Sequence, residues 1–339
     1  MRMAMKVAVL HDVVEADAAK DALDNLDQAR AVSTALTSLG HEAVLLPFSL
    51  DLDTVARRLR ELAPGAVFNL VETVAGSSRL AHLAPGLLCF LGLPHTGADE
   101  AAMFATAAKD RTKAVLRTSG LPTPDWLALP LDLAAQGAAP LPESLSIPGP
   151  WIIKPVWEHG SMGIDEDSVL EGTDPAVLAR DMNRRVAALG LPCLAERFVD
   201  GREFNMAVLH GPGGPRVLPP AEQIFRGYGP KRRRIIGFQA KWEEESFEYL
   251  NTIRSFDYPE SDGPLLAELA RTTLDCARVF GLGGYTRVDF RVDDESRPFI
   301  IDINTNPCIT PGAGFPETAR QAGIDYPEMI GRILASARL

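Results

Sequence analysis

Two apolar runs flanking a short polar turn constrain this chain most: Gly284-Tyr285-Thr286-Arg287-Val288-Asp289-Phe290 and Phe299-Ile300-Ile301-Asp302-Ile303-Asn304-Thr305-Asn306-Pro307. They read as neighbouring strands joined by the turn from Asp293 to Pro298. Asp302 and Asn304 are two residues apart, so on a strand they point to one face. Pairing of the runs brings Asp289 beside them. Two carboxylates and an amide oxygen are hard ligands that can hold Mg²⁺ and still leave positions for water and phosphate oxygens. Arg287 adds a positive group to the same face. Such a site suits the negative charge that builds up in phosphoryl and acyl transfer.

Composition narrows the class. The 339 residues suffice for two or three domains, and 46% hydrophobic with 23% charged content is ordinary for a soluble globular protein. A net charge of −11 argues against a nucleic-acid partner. The four cysteines, Cys89, Cys193, Cys276 and Cys308, form no CxxC pair, which disfavours zinc and a disulfide framework and fits a reducing compartment. No apolar run has the length of a membrane span, and Met1 to Leu10 lacks a signal-peptide pattern. The expectation is a cytoplasmic enzyme with no membrane partner.

Strands and helices alternate at the start: Lys6 to Leu10, Glu42 to Pro47 and Ala66 to Val71 as strands, Ala16 to Leu39 and Asp53 to Leu62 as helices. That alternation predicts a small α/β domain with a parallel sheet, whose ligands sit at the carboxyl ends of strands, near His11, Asp12 and Glu72, unless these three are ordinary loop-surface polar residues. The spacing predicts one long helix over Asp99 to Ser119, then an irregular stretch from Pro130 to Pro150. Further strands are expected at Trp151 to Pro155, Cys193 to Val199, Glu203 to His210, Ile235 to Ala240, Gly284 to Val292 and Pro298 to Ile303. Helices are expected at Pro175 to Leu189, Gly263 to Phe280 and Tyr326 to Ala337.

Lys109 and Lys113 share one helix face by their i, i+4 spacing. Lys154 ends a strand just before the small-residue turn Glu158-His159-Gly160-Ser161-Met162-Gly163, whose backbone N–H groups can cradle phosphate, although most such turns bind nothing. Glu196 and Glu203 are placed to bond a base amino group and ribose hydroxyls, or else are surface acids of a hairpin. Lys231-Arg232-Arg233-Arg234 reads either as a loop over anionic groups or as a solvated loop. Lys241 is better placed to reach inward.

Taken in order, the motifs Leu121-Pro122-Thr123-Pro124, Lys154-Pro155 with its Gly/Ser loop, Glu196-Arg197-Phe198-Val199, Arg202-Glu203-Phe204, Gln239-Ala240-Lys241-Trp242, Arg287-Val288-Asp289 and Asp302-Ile303-Asn304-Thr305-Asn306-Pro307 resemble the ATP-grasp ligases. The likeness is to the D-alanine–D-alanine ligase branch and runs over nearly the whole chain. It implies an α/β fold divided into an N-terminal domain (1–97), a central lid subdomain (98–195) and a C-terminal catalytic domain (196–339). It implies ATP with two Mg²⁺ ions, replaceable by Mn²⁺, and a possible homodimer. By the resemblance, Lys109 and Lys154 contact ATP phosphates under the Glu158 to Gly163 loop. Glu196, Arg197, Phe198, Val199 and Ile301 line the adenine pocket, and Glu203 holds the ribose. Asp289, Asp302 and Asn304 bind the metal. Arg287 and the backbone N–H near Cys308 stabilise an oxyanion, and Lys241 reaches the transferred phosphate.

The likeness implies two steps: a carboxylate attacks the γ-phosphate of ATP to give an acyl phosphate, then an amine displaces phosphate to form an amide. The family pattern is altered where amino-acid substrates bind. His11-Asp12-Val13-Val14-Glu15 replaces a Gly-Gly then Ser and Glu motif. Gly160 stands for a serine, Trp242 for a tyrosine and Ala313, beside Gly312, for a serine that receives a carboxylate. Asp302 replaces a glutamate and Cys308 a glycine. The sequence therefore predicts a ligase for amino acids or a dipeptide that are not simply two D-alanines. The alternatives are a true D-alanine–D-alanine ligase and an ATP-binding protein or kinase without ligation.

Overall fold

The computed structural model describes residues 4–14, 20–128, 149–158, 160–172, 174–211, 213–230 and 232–339. It is a mixed α/β structure built on three sheets.

The first sheet is parallel, in the order β2-β1-β3, from β1 (Lys6–Asp12), β2 (Glu42–Phe48) and β3 (Ala66–Asn69). The helices α1 (Lys20–Ser38), α2 (Leu52–Leu62) and α3 (Leu83–Phe90) accompany it. Its central strand is buried along nearly its whole length, as a parallel strand covered on both faces must be. Asp51 starts α2 by accepting from the Thr54 N–H.

Asp99 to Ser119 is not one helix. α4 (Glu100–Ala107) and α5 (Lys109–Thr118) are separated by Ala108, whose backbone is extended at φ −104° and ψ 111°. The Lys109 N–H leaves the helical ladder and donates to the Val156 carbonyl at 2.9 Å. Residue spacing carries no record of that long-range bond, so periodicity alone joined the two helices.

The second sheet is antiparallel, in the order β4-β7-β5-β6, from β4 (Trp126–Ala128), β5 (Trp151–Pro155), β6 (Val169–Leu170) and β7 (Cys193–Arg197). The helix α6 (Pro175–Leu189) packs Leu178 and Met182 onto Trp151, Ile153, Cys193 and Ala195.

The third sheet holds β8 (Arg202–Gly211), β9 (Gly214–Val217), β10 (Ala221–Phe225), β11 (Thr252–Ser255), β12 (Tyr285–Val292) and β13 (Pro298–Asn304). Its order is β11-β10-β8-β12-β13, with β9 also paired to β8. One face carries Phe204, Met206, Val288, Phe290 and Ile300 into a core closed by Leu265, Leu269, Cys276 and Phe280. Those last four project from helix α9 (Gly263–Phe280), and each fully buried leucine or phenylalanine contributes about 1.5–3 kcal/mol. Between β10 and α9 lie the short helices α7 (Phe238–Trp242) and α8 (Phe247–Asn251). The chain ends with α10 (Gly314–Gln321) and α11 (Tyr326–Ala335).

Ile235 to Ala240 does not form a strand. Its first residues are irregular and Phe238 enters α7, because the segment's hydrogen bonds go to the loop at Ser161 and Ile164 and not to a sheet edge. Among the described residues, no helix is long and apolar enough to cross a membrane.

Candidate active site

Alternation along the third sheet separates a core face from a polar face. Arg287, Asp289 and Arg291 on β12 share that polar face with Glu203 and Asn205 on β8, which stand opposite Arg291 and Asp289. Asp289 also stands opposite Asp302 on β13, and Arg287 opposite Asn304. Between Asp289 and Phe290 the β12–β13 register slips by one residue. The slip reconciles two demands. Ile300 must join the core with Phe290, yet Asp302, two residues on, must face the same side as Asp289. A β-bulge re-aims the strand in this way.

Apart from Asn304, these groups line one cavity between the second and third sheets. The second sheet and its connections contribute Ile152, Lys154, Glu158, Ser161, Glu196 and Phe198. The third contributes Glu203, Asn205, Arg287, Asp289, Ile301 and Asp302. Lys109, Val199 and Lys241 also line it.

The charges are matched pairwise. Arg287 forks onto Asp289, with Nε to Oδ1 at 2.7 Å and Nη2 to Oδ2 at 2.8 Å. Asn205 donates to the same carboxylate at 2.7 Å and is itself oriented by Gln223. Burial opposes the Arg287 charge, but Asp289 more than offsets it and holds the guanidinium protonated. Lys109 Nζ lies 2.9 Å from Asp302 Oδ1. Burial, with Arg287 nearby, pulls the Lys241 ammonium below its ordinary range.

Glu196 is gripped by two lysines: Lys154 at 2.6 Å and Lys113 at 2.5 Å. Burial pushes its carboxyl upward, and the two ammonium groups outweigh that push to leave it lowered. Burial also draws Lys113 down to about 8. Glu203 meets Arg291 at 3.1 Å, and the Arg291 guanidinium lies over the rings of Phe198 and Phe225.

A lid is drawn over the cavity by contacts between two loops. Ser161 Oγ donates to the Ile236 carbonyl at 2.8 Å, the Phe238 N–H to the Ile164 carbonyl at 3.1 Å, and the Trp242 indole to the Gly160 carbonyl at 3.3 Å. A Cβ on Gly237 would lie 2.5 Å from the Ile164 carbonyl oxygen, so this approach requires glycine. Arg232 pairs with Glu248 and Arg233 with Glu171, so these two basic residues tie down neighbouring acids.

The remaining expected residues make these contacts. Gly163 closes the lid turn and Met162 is exposed. The Arg197 N–H is bonded to the Asp125 carbonyl and the Phe198 N–H to the Pro150 carbonyl. Asn304 accepts from the Asn306 N–H at 3.0 Å. His11 turns its ring onto the Asp12 carbonyl, and Glu72 accepts from Gln28 at 3.1 Å. The Cys308 thiol sits 3.2 Å from Asp24, and burial pushes it up to about 12, which suits a spectator and not a nucleophile. Gly312 and Ala313 precede α10, and Ala313 supplies no side-chain cap. Glu15, His159 and Lys231 lie outside the described residues.

Asn205, Arg291, Ile152, Ile164, Ile235 and Ile236 line the cavity without having been expected there. Two of them had a signal: Asn205 is two residues from Glu203, and Arg291 two from Asp289.

The family model for the C-terminus of D-ala D-ala ligase matches residues 115–335. The chain belongs to the D-alanine–D-alanine ligase family. The Aquifex aeolicus D-alanine–D-alanine ligase is 28% identical over 311 residues, covering 91% of this chain and 94% of that protein. The Methylococcus capsulatus D-alanine–D-alanine ligase is 30% identical over 320 residues, covering 92% and 91%. The crystal structure of the Bacillus anthracis ligase complexed with ATP superposes with a TM-score of 0.71 at 19% identity, over 98% of this chain and 97% of that one. The Coxiella burnetii ligase gives 0.67 at 18% identity. The ATP-grasp fold and the class, an ATP-dependent carboxylate–amine ligase, follow from membership of this D-alanine–D-alanine ligase family.

Proposed function

We propose that the chain joins two D-alanines through an acyl phosphate, releasing ADP and phosphate. The observation that carries this reading is the correspondence with D-alanine–D-alanine ligases over more than nine-tenths of both chains. The expectation of other substrates gains nothing from those relatives. One feature still favours a second reading, a different pair of amino acids: Ala313 puts a methyl group where the family places a carboxylate-binding hydroxyl.

Asp289 and Asp302 suit magnesium, since they are hard oxygen donors on facing strands that open on one cavity. With Asn304 they would hold it, as two ions in this reading, and bound magnesium supplies positive charge beside the phosphates. Lys109 and Lys154 steady the phosphate chain, Glu203 takes the ribose, and the strand after Glu196 takes the base. The carboxylate of the first D-alanine attacks the γ-phosphorus, the bond to the bridging oxygen breaks, and ADP leaves with that electron pair. The amine of the second D-alanine attacks the acyl carbon. Arg287 and the N–H near Cys308 offset the oxyanion, and Lys241 offsets the departing phosphate. The amine nitrogen gives up its proton, which the departing phosphate takes, as the amide forms. The lid held by Trp242 and Ser161 keeps water from the acyl phosphate meanwhile.

An assay of ADP release over a panel of amino acids tests the proposal. Release with D-alanine alone, with dipeptide formed, is expected. Release only with another carboxylate and amine supports the second reading, and ATP binding without turnover on any pair excludes both.

A further inference from the structure

Strand β11 carries a cation that the two chemical steps leave unused. Arg254 stands opposite Gln223, and Gln223 opposite Glu203, so the arginine leaves the sheet on the polar face that also bears Asp289 and Arg287. Its Nε is closed to solvent and has no hydrogen-bond partner among the described residues. Its far end lies against the start of α10, where a Cβ on Gly314 would come within 3.3 Å of Nη2. Burial works against the Arg254 charge and so does Arg287, while Glu317 acts in its favour. The Glu317 carboxylate is already held by Arg320 at 2.8 Å. A partly buried guanidinium whose Nε has no acceptor, set near a second arginine, is costly unless an anion joins them. The uncapped first turn of α10, opened by Ala313, adds a field that also favours negative charge.

We propose that Arg254 binds the carboxylate of the amine-bearing substrate, so that the site selects an α-amino acid over a simple amine as nucleophile. The inference rests on the ligase reading above. The sheet order supports this substrate and not the first one. Lys109 and Asp302 lie on the β13 side of Arg287, with the phosphate-binding groups, whereas Arg254 lies on the β11 side. An amine directed at a carbonyl beside Arg287 can extend its own carboxylate toward β11. There a guanidinium can take it by paired charge-assisted hydrogen bonds, in place of the hydroxyl that Ala313 lacks.

The test is a competition. The enzyme receives MgATP, D-alanine and D-alaninamide; the amide can serve only as the amine, because it has no carboxylate to phosphorylate. The ratio of D-alanyl-D-alanine to its amide is read by mass spectrometry. The wild type should favour the acid, and Arg254→Met should lower that ratio about ten- to a hundredfold, with Arg254→Lys between them. The KM for ATP should stay within a few-fold. An unchanged ratio in Arg254→Met, or a loss confined to the ATP KM, overturns the assignment. Should the methionine variant not fold, Arg254→Gln gives the same ratio. A wild type that makes neither product sinks the D-alanine reading alone. The competition is then run with the amino acid that does release ADP and with its amide, and the same outcomes decide.

Discussion

Asp289 and Asp302 face each other across neighbouring strands, and each is already matched by its own cation: Arg287 for the first, Lys109 for the second. Opposed carboxylates repel unless positive charge lies close to both. Arg287 and Lys109 relieve that repulsion and leave both carboxylates ionised, hard oxygen donors on one face. Asp289→Asn should cut turnover by about a hundredfold or more, the scale of losing a preorganised electrostatic group. Steady-state kinetics at saturating magnesium, with circular dichroism to check folding, measures this. Near-normal kcat would remove Asp289 from the metal site.

Glu196 depends on both of its lysines. Removing one partner of a buried ion pair costs about 3–5 kcal/mol. Lys113→Met should therefore lower stability on that scale and raise the KM for ATP, because Lys154 is then drawn fully to Glu196. Adding Glu196→Gln should recover much of the stability. Urea denaturation of the single and double variants decides; additive losses would contradict the coupling.

The Trp242 indole is the side-chain clasp on Gly160. Trp242→Phe keeps the ring and loses the hydrogen bond. The lid should open more often and admit water to the acyl phosphate. Wild type should release one ADP per amide, and the variant should release a measurable excess of ADP. A ratio of one in both would show that the clasp does not protect the intermediate.

Glu72 gives a pH signature. Burial, with the nearby Asp12 charge, pushes its carboxyl up to about 8. Because the folded chain holds a proton that the unfolded chain gives up, this group favours folding fully at low pH. The contribution is lost as pH rises through about 8. Glu72→Gln should be increasingly more stable than wild type from pH 6 to 8.5, by about 1–3 kcal/mol at the upper end. Thermal melts over that range check it; a constant difference would place Glu72 in solvent-like surroundings.

Much of this site was legible because short-range pattern carried it. The two-residue spacings in Arg287-Val288-Asp289 and Asp302-Ile303-Asn304 fixed which groups share a face, and the ordered motifs fixed the family. What escaped depends on contacts distant in sequence. Spacing gives Lys113 only a helix face shared with Lys109; its ion pair with Glu196 depends on how α5 packs beyond the break at Ala108. The bulge at Asp289 is invisible to strict alternation. Ile235 to Ala240 has a strand-like composition, but its backbone bonds the lid loop. Arg254 sits on a short edge strand with no motif around it, and only sheet order shows which face it takes.

In the proposed reaction this polar face makes a carboxylate electrophilic by phosphorylating it. Turnover of D-alanine carrying ¹⁸O in its carboxyl group tests that most directly, with the released phosphate read by mass spectrometry. One ¹⁸O should appear in phosphate for each amide formed, carried there through the acyl phosphate. Amide formation accompanied by unlabelled phosphate overturns it.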